Sequence, residues 1–170
     1  MSLLTALLDL PPAHSRTLEL LLDLVPPAEL RWVLTGSAGL RLQGVDLPVN
    51  DLDIQSAAET VYRIEERLQD FMQTPVHLWE SPRTRSLDGK AQIAGVEVEL
   101  LADIAQRMPD GSWRSLTDFG RIVWLAWRGR EVPVFPLEDE AAAYQAMGRA
   151  GKADLIRKTI EQLQLRKGGS

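Results

Sequence analysis

Two neighbouring stretches of the chain decide its fold: Trp32-Val-Leu-Thr-Gly-Ser-Ala-Gly-Leu-Arg-Leu-Gln-Gly44 and Asn50-Asp-Leu-Asp-Ile-Gln55. In the first stretch, an apolar run stops at Gly36-Ser37 and a short amphipathic segment follows. In the second stretch, acidic and apolar residues alternate as they do in a half-buried strand. Together the two stretches predict a strand, a small-residue turn, a helix, a loop and a second strand.

The second strand places Asp51 and Asp53 on one face, with Cα atoms about 6.6 Å apart. This spacing lets two carboxylates share divalent metal ions, which lie about 3.5–4 Å apart in two-metal sites. The Gly36-Ser37 turn offers backbone N–H groups to an anion. A phosphate-binding turn beside an acid pair predicts a nucleotide site. The alternative is a half-buried strand whose polar positions face water.

A third acid is available on a later strand. Glu97 and Glu99 alternate with apolar residues and therefore share one face of that strand. If this strand pairs near Asp51 and Asp53, one of the two glutamates completes a cluster of three carboxylates. Clustered like charges repel one another unless cations neutralise them, so the cluster predicts Mg²⁺. The alternative is an amphipathic strand with solvated glutamates.

Composition predicts an ordinary globular protein. The chain has 170 residues, of which 45% are hydrophobic and 25% are charged, and it contains no cysteine. We expect a single domain over 1–170, with a core at about 30–136 and C-terminal helices at 137–165. The net charge of −5 argues against a surface for duplex nucleic acid. No apolar run approaches about 20 residues, so we expect no membrane association and a cytoplasmic location.

Periodicity and turn signals predict an α/β (α+β) fold, a mixed β-sheet flanked by helices. Ser15 is the expected N-cap of a first helix, and Ser56 with Glu59 forms a capping-box pattern for a second. Asp88-Gly89 predicts a hairpin turn within 84–93. The other expected elements are strands at 31–35, 51–55, 75–79 and 96–101, a hairpin of 121–127 with 131–135, and helices at 15–25, from 137 onward and at 152–165.

With these residues in view, the chain resembles the nucleotidyltransferase superfamily, which has the DNA-polymerase-β-like fold. It is similar to small bacterial members related to aminoglycoside, lincosamide and toxin-linked nucleotidyltransferases. Three pieces carry the resemblance: the Gly36-Ser37-Ala38 turn, the Asp51-Leu52-Asp53-Ile54 strand and the acidic strand Val96-Glu97-Val98-Glu99-Leu100-Leu101. The segments 132–140 and 148–154 resemble the helical region that follows the catalytic core of these proteins.

The resemblance implies transfer of a nucleoside monophosphate from a nucleoside triphosphate, with ATP expected, to an acceptor hydroxyl. It implies that two Mg²⁺ ions bind with the nucleotide, held by Asp51 and Asp53 with Glu99 or Glu97. Glu99 is favoured as the third catalytic acid because two apolar residues follow it. The nucleotide would contact Gly36, Ser37 and Lys152, although Lys152 could instead be a solvated helix lysine.

The chain also departs from the family pattern. Relatives often have Arg-Pro-Thr before the paired acids, where this chain has Leu47-Pro48-Val49-Asn50, and the third acid is Glu where Asp is common. These changes support an alternative: a catalytically weak nucleotide-binding module or one of toxin–antitoxin type. The acceptor is left open as a small molecule, RNA or protein, and a homodimer or a partner subunit is considered for completing its pocket.

Overall fold

The computed structural model describes residues 3–169, which form a nine-stranded mixed sheet and five α-helices. The helices are α1 (Pro12–Leu24), α2 (Gly36–Leu42), α3 (Ala58–Arg67), α4 (Leu137–Ala146) and α5 (Ala150–Gly168). The strands are β1 (Leu4–Thr5), β2 (Trp32–Thr35), β3 (Leu52–Ser56), β4 (Met72–Glu80), β5 (Thr84–Ile93), β6 (Val96–Arg107), β7 (Trp113–Ser115), β8 (Val123–Trp127) and β9 (Arg130–Val134).

The strand order places β3 at the centre of the sheet. The order is β1-β8-β9-β2-β3-β6-β5-β4, and β7 pairs with β6 beyond this path. Strand β3 is antiparallel to β2 and parallel to β6, and its Asp53 pairs with Thr35 on one side and Glu99 on the other. The register therefore places the segment with Asp51 and Asp53 beside the segment with Glu97 and Glu99.

Strand alternation sends the apolar residues of β3 and β6 to one side of the sheet. Leu52, Ile54, Val98 and Leu100 are almost fully buried in the main core, to which α1 and α3 also contribute. The intervening acids face the other side. There α4 and α5 pack with α2 in a second apolar cluster that includes Leu40, Leu137, Ala141, Tyr144 and Ile156.

The predicted hairpin within 84–93 is wrong, because β5 is one continuous strand and the chain reverses at Ala94-Gly95 instead. A two-residue hairpin turn at Asp88-Gly89 would need the left-handed backbone, which Gly89 does not adopt. A Cβ on Gly89 would lie 2.8 Å from Cγ2 of Val76 on β4. Gly89 therefore allows β4 and β5 to approach each other closely, because it has no side chain.

Two predicted helix caps are also wrong. Helix α1 begins at Pro12, whose missing N–H would have no partner within the helix at this position. Ser15 lies inside the helix, and its hydroxyl donates a hydrogen bond to the Leu10 carbonyl. Helix α3 begins after Ala57, and Ser56 remains the last residue of β3. No helix in the described part of the chain is long and apolar enough to cross a membrane.

Gly39 should be required where α2 passes β2. An added Cβ would lie 2.7 Å from the Leu34 carbonyl oxygen, a backbone atom that cannot move aside without distorting the sheet. We expect Gly39→Ala to lower the free energy of unfolding by about 1–3 kcal/mol. Gly151→Ala, whose Cβ would meet open space in α5, should change it by less than about 1 kcal/mol. Urea denaturation of both variants tests this, and equal effects would contradict it.

Candidate active site

The candidate site is centred on the carboxyl groups of Asp53 and Glu99. Their residues are direct neighbours in the parallel pairing of β3 with β6, and the Glu99 carboxyl group acts directly on the pKa of Asp53. Two carboxylates this close repel each other when both are charged, so protonation of one of them is easier than for an isolated acid. The pair therefore favours the binding of a proton or of a cation.

The surroundings raise the pKa of both acids. Burial, followed by the negative charge of Glu99, raises the pKa of Asp53 to about 7. Burial also raises the pKa of Glu99, with the Asp51 and Asp88 carboxylates contributing in the same direction. Because each charge disfavours the other, a proton taken up here belongs to the pair. A cation placed between them would replace this proton.

Asp51 and Glu97 flank the pair in different ways. Asp51 was predicted to be the first residue of the strand but immediately precedes β3, and its charge acts on both Asp53 and Glu99. Glu97 forms a salt bridge with Lys90 across β5 and β6, with Nζ and Oε1 3.1 Å apart. Of the two glutamates left open by the sequence, Glu99 meets Asp53, whereas Glu97 is paired with a lysine.

The Gly36-Ser37 turn lies directly against Asp53. Gly36 has a φ of +66°, and a Cβ on it would lie 2.2 Å from Oδ2 of Asp53. Thr35, the preceding residue, pairs with Asp53 in the sheet. The Ser37 hydroxyl accepts a hydrogen bond from the backbone N–H of Asn50 at 3.4 Å. The turn and the acids are thus adjacent, as the two diagnostic stretches of sequence predicted.

Lys152 approaches the acids from α5. Its Nζ lies 4.8 Å from the centroid of the Tyr144 ring, and its charge acts on both Asp53 and Glu140. Burial lowers the pKa of Lys152, while the two carboxyl groups oppose that shift. The lysine is therefore a half-buried cation between two acids, and differs from a fully solvated helix lysine.

Glu140 is a residue of this region that the sequence reasoning missed. It is 7% exposed, and its Oε1 accepts a hydrogen bond from the Thr35 hydroxyl at 2.5 Å. Burial raises its pKa to about 7. The sequence does contain a signal: Glu140 falls within the buried stripe of α4 formed by Leu137, Ala141 and Tyr144. An acid among apolar positions at helical spacing indicates a buried partner.

The donor set fits a magnesium ion that also binds phosphate. Within residues 3–169, no three His, Cys, Asp or Glu side chains form a ready metal cage. Mg²⁺ usually binds one or two carboxylates and completes its octahedron with water and substrate phosphate oxygens. The raised pKa of Asp53, caused by burial and by the Glu99 charge, marks the place where carboxylate charge needs a cation. These acids therefore suit a metal that arrives with a nucleotide.

Other features of the described chain lie apart from this site. A cavity of about 570 Å³ is lined mainly by apolar side chains of β1, β8 and the end of α5. None of Asp51, Asp53, Glu97 and Glu99 lines it. Trp127 is buried and donates a hydrogen bond to Asp9, as expected for a core residue. Trp113 is contacted by the guanidinium groups of Arg85 and Arg107.

A comparison with known protein families spans every residue assigned above to the candidate site. A family model described as aminoglycoside-2''-adenylyltransferase matches residues 17–163. The fold is similar to the crystal structure of a candidate nucleotidyltransferase from Thermotoga maritima, with a TM-score of 0.79 and 33% identity over 91% of this chain and 97% of that chain. Among curated proteins, none matches the chain.

Gly36→Ala should disrupt the acid pair. The new methyl group would overlap the Asp53 carboxyl, and the left-handed backbone at this position disfavours any side chain. Because the Asp53 carboxyl must move, we expect the distance between the Asp53 and Glu99 carboxyl groups to change. A crystal structure of the variant measures the separation of the two carboxyl groups. An unchanged Asp53 position would contradict the close packing of turn and acid.

Stability should depend on the ionisation of Glu140. Its pKa is higher in the folded chain than its ordinary value of 4.5, so folding favours the protonated form. The stabilisation is complete below about pH 4.5 and is lost as pH rises through about 7. Asp139, Lys152 and the Thr35 hydroxyl also act on this titration. We expect wild-type stability to fall between pH 5 and 8.

Glu140→Gln removes this ionisable group and keeps an acceptor for Thr35. Its free energy of unfolding should therefore fall less between pH 5 and 8, with a remaining slope from Asp53 and Glu99. Urea denaturation at four pH values measures both curves. Parallel curves for wild type and variant would show that Glu140 does not carry the effect.

Proposed function

Since the chain belongs to the aminoglycoside-2''-adenylyltransferase family, we propose that it transfers a nucleoside monophosphate from a nucleoside triphosphate to an acceptor hydroxyl in a Mg²⁺-dependent reaction. The family and the fold support nucleotidyl transfer in general. The observation that carries the specific proposal is the register of β3 and β6, which joins Asp53 to Glu99 beside the Gly36-Ser37 turn. ATP is the proposed donor because the family is described by adenylyl transfer.

In the proposed reaction, the acceptor oxygen forms a bond to the α-phosphorus, and the bond from that phosphorus to the bridging oxygen of the leaving group breaks. Pyrophosphate carries away the electron pair, and Glu99 accepts the proton of the acceptor hydroxyl. A general base of this kind contributes about 10²- to 10⁴-fold to the rate. Glu99 suits this role because burial raises its pKa above the ordinary value, which makes it a stronger base.

Asp51 and Asp53 would hold the magnesium ions, two with the nucleotide bound, and Glu99 would complete the set. When bound, the metal neutralises charge on the transferred phosphoryl group and on the attacking and leaving oxygens. Glu97 would stay outside this set because Lys90 already pairs with it. The acids themselves fix the positions of metal and phosphate, so their main contribution is orientation.

Gly36, Ser37 and Lys152 would bind the triphosphate. The close contact between Gly36 and Asp53 leaves the backbone of the turn beside the acids. Lys152 lies within electrostatic reach of Asp53, so a phosphate bound to a metal there would face its ammonium group. A partly desolvated lysine interacts more strongly with phosphate than an exposed lysine does.

A second candidate function is nucleotide binding with weak or absent turnover. It is favoured by the segment Leu47-Pro48-Val49-Asn50, which lacks the arginine and threonine common before the paired acids. Such a module would regulate a partner protein, as in toxin–antitoxin pairs. In either case the acceptor or partner is a small molecule, an RNA or a protein, and a second subunit would complete its pocket.

Four variants test the roles of the acids. Asp51→Asn and Asp53→Asn should weaken Mg²⁺-dependent ATP binding about tenfold or more, because each removes a charged metal ligand. Glu99→Gln should lower turnover about 10²- to 10⁴-fold. Glu97→Gln, the matched control on the same strand, should stay within about threefold of wild type. Isothermal titration measures binding, and pyrophosphate release over a panel of hydroxyl acceptors measures turnover.

The outcomes separate the two candidates. Pyrophosphate release that is lost in Glu99→Gln supports transfer. Metal-dependent binding that gives no product with any acceptor supports the binding module. Failure of the wild type to bind any of the four nucleoside triphosphates would refute both.

A further inference from the structure

Glu140 is a buried carboxyl group that the proposed chemistry does not use. It belongs to α4, whose first turn also holds Glu138 and Asp139, yet Glu140 alone of the three is buried. Burying a carboxyl group is costly unless it is hydrogen-bonded. The bond from the Thr35 hydroxyl, at 2.5 Å, provides that partner. The position of Glu140 therefore needs a reason beyond filling space between α4 and the sheet.

Thr35 connects Glu140 to the acid pair. The backbone of Thr35 pairs with that of Asp53 in the sheet. Thr35 is also the N-cap of α2, directly before Gly36. Its hydroxyl makes no capping bond to α2, although threonine often does so at this position. The hydroxyl donates to Glu140 instead. One hydrogen bond thus fixes α4 to the turn that lies against Asp53.

Helix α4 in turn fixes Lys152. Tyr144 lies one helical turn after Glu140 and so shares its face. The Tyr144 ring contacts the Lys152 ammonium group at 4.8 Å, and both Glu140 and Asp53 attract that group. Once Asp53 binds a metal ion, Glu140 is the carboxyl group left to face the ammonium. Glu140 and Tyr144 are therefore the groups of α4 that attract or contact the Lys152 cation, and the Arg149 guanidinium also lies over the Tyr144 ring, at 5.1 Å.

We propose that Glu140 is a positioning residue for the nucleotide: through Thr35 and Tyr144 it holds the Lys152 ammonium group at the triphosphate beside the Gly36-Ser37 turn. The inference rests on the proposed function, because it assumes that Lys152 contacts phosphate. Glu140 itself touches neither nucleotide nor metal.

A purely structural role and a purely electrostatic role make different predictions. If Glu140 only stabilised the fold, its loss would lower stability and leave the affinity for ATP unchanged. If Glu140 acted only as a negative charge, its removal would strengthen binding of the anionic triphosphate. A positioning role predicts weaker binding, and only when Lys152 is present.

A double-mutant cycle on the full chain tests this dependence. Isothermal titration with MgATP would compare wild type, Glu140→Ala, Lys152→Met and the double variant. We expect each single variant to raise Kd about tenfold, which is about 1.4 kcal/mol. The double variant should also lie about tenfold above wild type, because Glu140 has nothing to position once Lys152 is gone. Independent effects would give about a hundredfold increase and would overturn the inference.

Further variants guard against misfolding and nonspecific effects. Thr35→Val removes the same hydrogen bond from the β2 side, keeps the side-chain shape, and should also raise Kd, but not in the Lys152→Met background. Glu140→Gln keeps the acceptor for Thr35 but removes the charge that faces Lys152, so its Kd should lie between those of wild type and Glu140→Ala. Glu138→Ala on α4 and Lys158→Met on α5 alter exposed residues of the same helices and should leave Kd unchanged.

The result distinguishes failure of the inference from failure of the proposed function. If wild type binds no nucleoside triphosphate, the proposed function is refuted and the inference with it. If wild type binds MgATP and the cycle is additive, or if Glu140→Ala and Thr35→Val bind normally, only the inference is refuted.

Discussion

The structure depends on the parallel pairing of β3 with β6, which places the carboxyl groups of Asp53 and Glu99 side by side. Two acids at adjacent positions repel each other when both are charged, and burial adds to the cost. The register cannot shift by one residue to relieve this, because Leu52 and Ile54 would then leave the core and the acids would enter it. Burial of the apolar side chains thus stabilises a register in which the two acids on the other side repel each other.

The remaining parts of the site follow from this constraint. Strand β2 brings Thr35 next to Asp53, and the turn after it must have glycine at position 36 because the Asp53 carboxyl occupies the space of a side chain. Helices α4 and α5 then cover the polar side and add Glu140 and Lys152. Charges from distant parts of the sequence meet at Asp53, where their separate effects on its pKa combine.

Much of this arrangement could be predicted from the sequence. The alternation around Asp53 and Glu99, and the Gly36-Ser37 turn, are local patterns with clear physical meaning, and the mixed sheet and the nucleotidyltransferase resemblance drawn from them are confirmed. The Asp88-Gly89 pair misled because a glycine that permits close packing of two strands has the same sequence signal as one in a turn. Glu140 was missed because its partner, Thr35, is 105 residues away.

The order of these segments along the chain has a consequence for biosynthesis. The Gly36-Ser37 turn and the paired acids precede β7, β8 and β9, whereas Lys152, the cation that faces them, follows all of the described strands. A nascent chain that has reached only β9 already has its acid pair, but lacks the two helices that cover it. The candidate site can therefore be completed only after α5 has been synthesised, when all the strands of the sheet that supports it are already present.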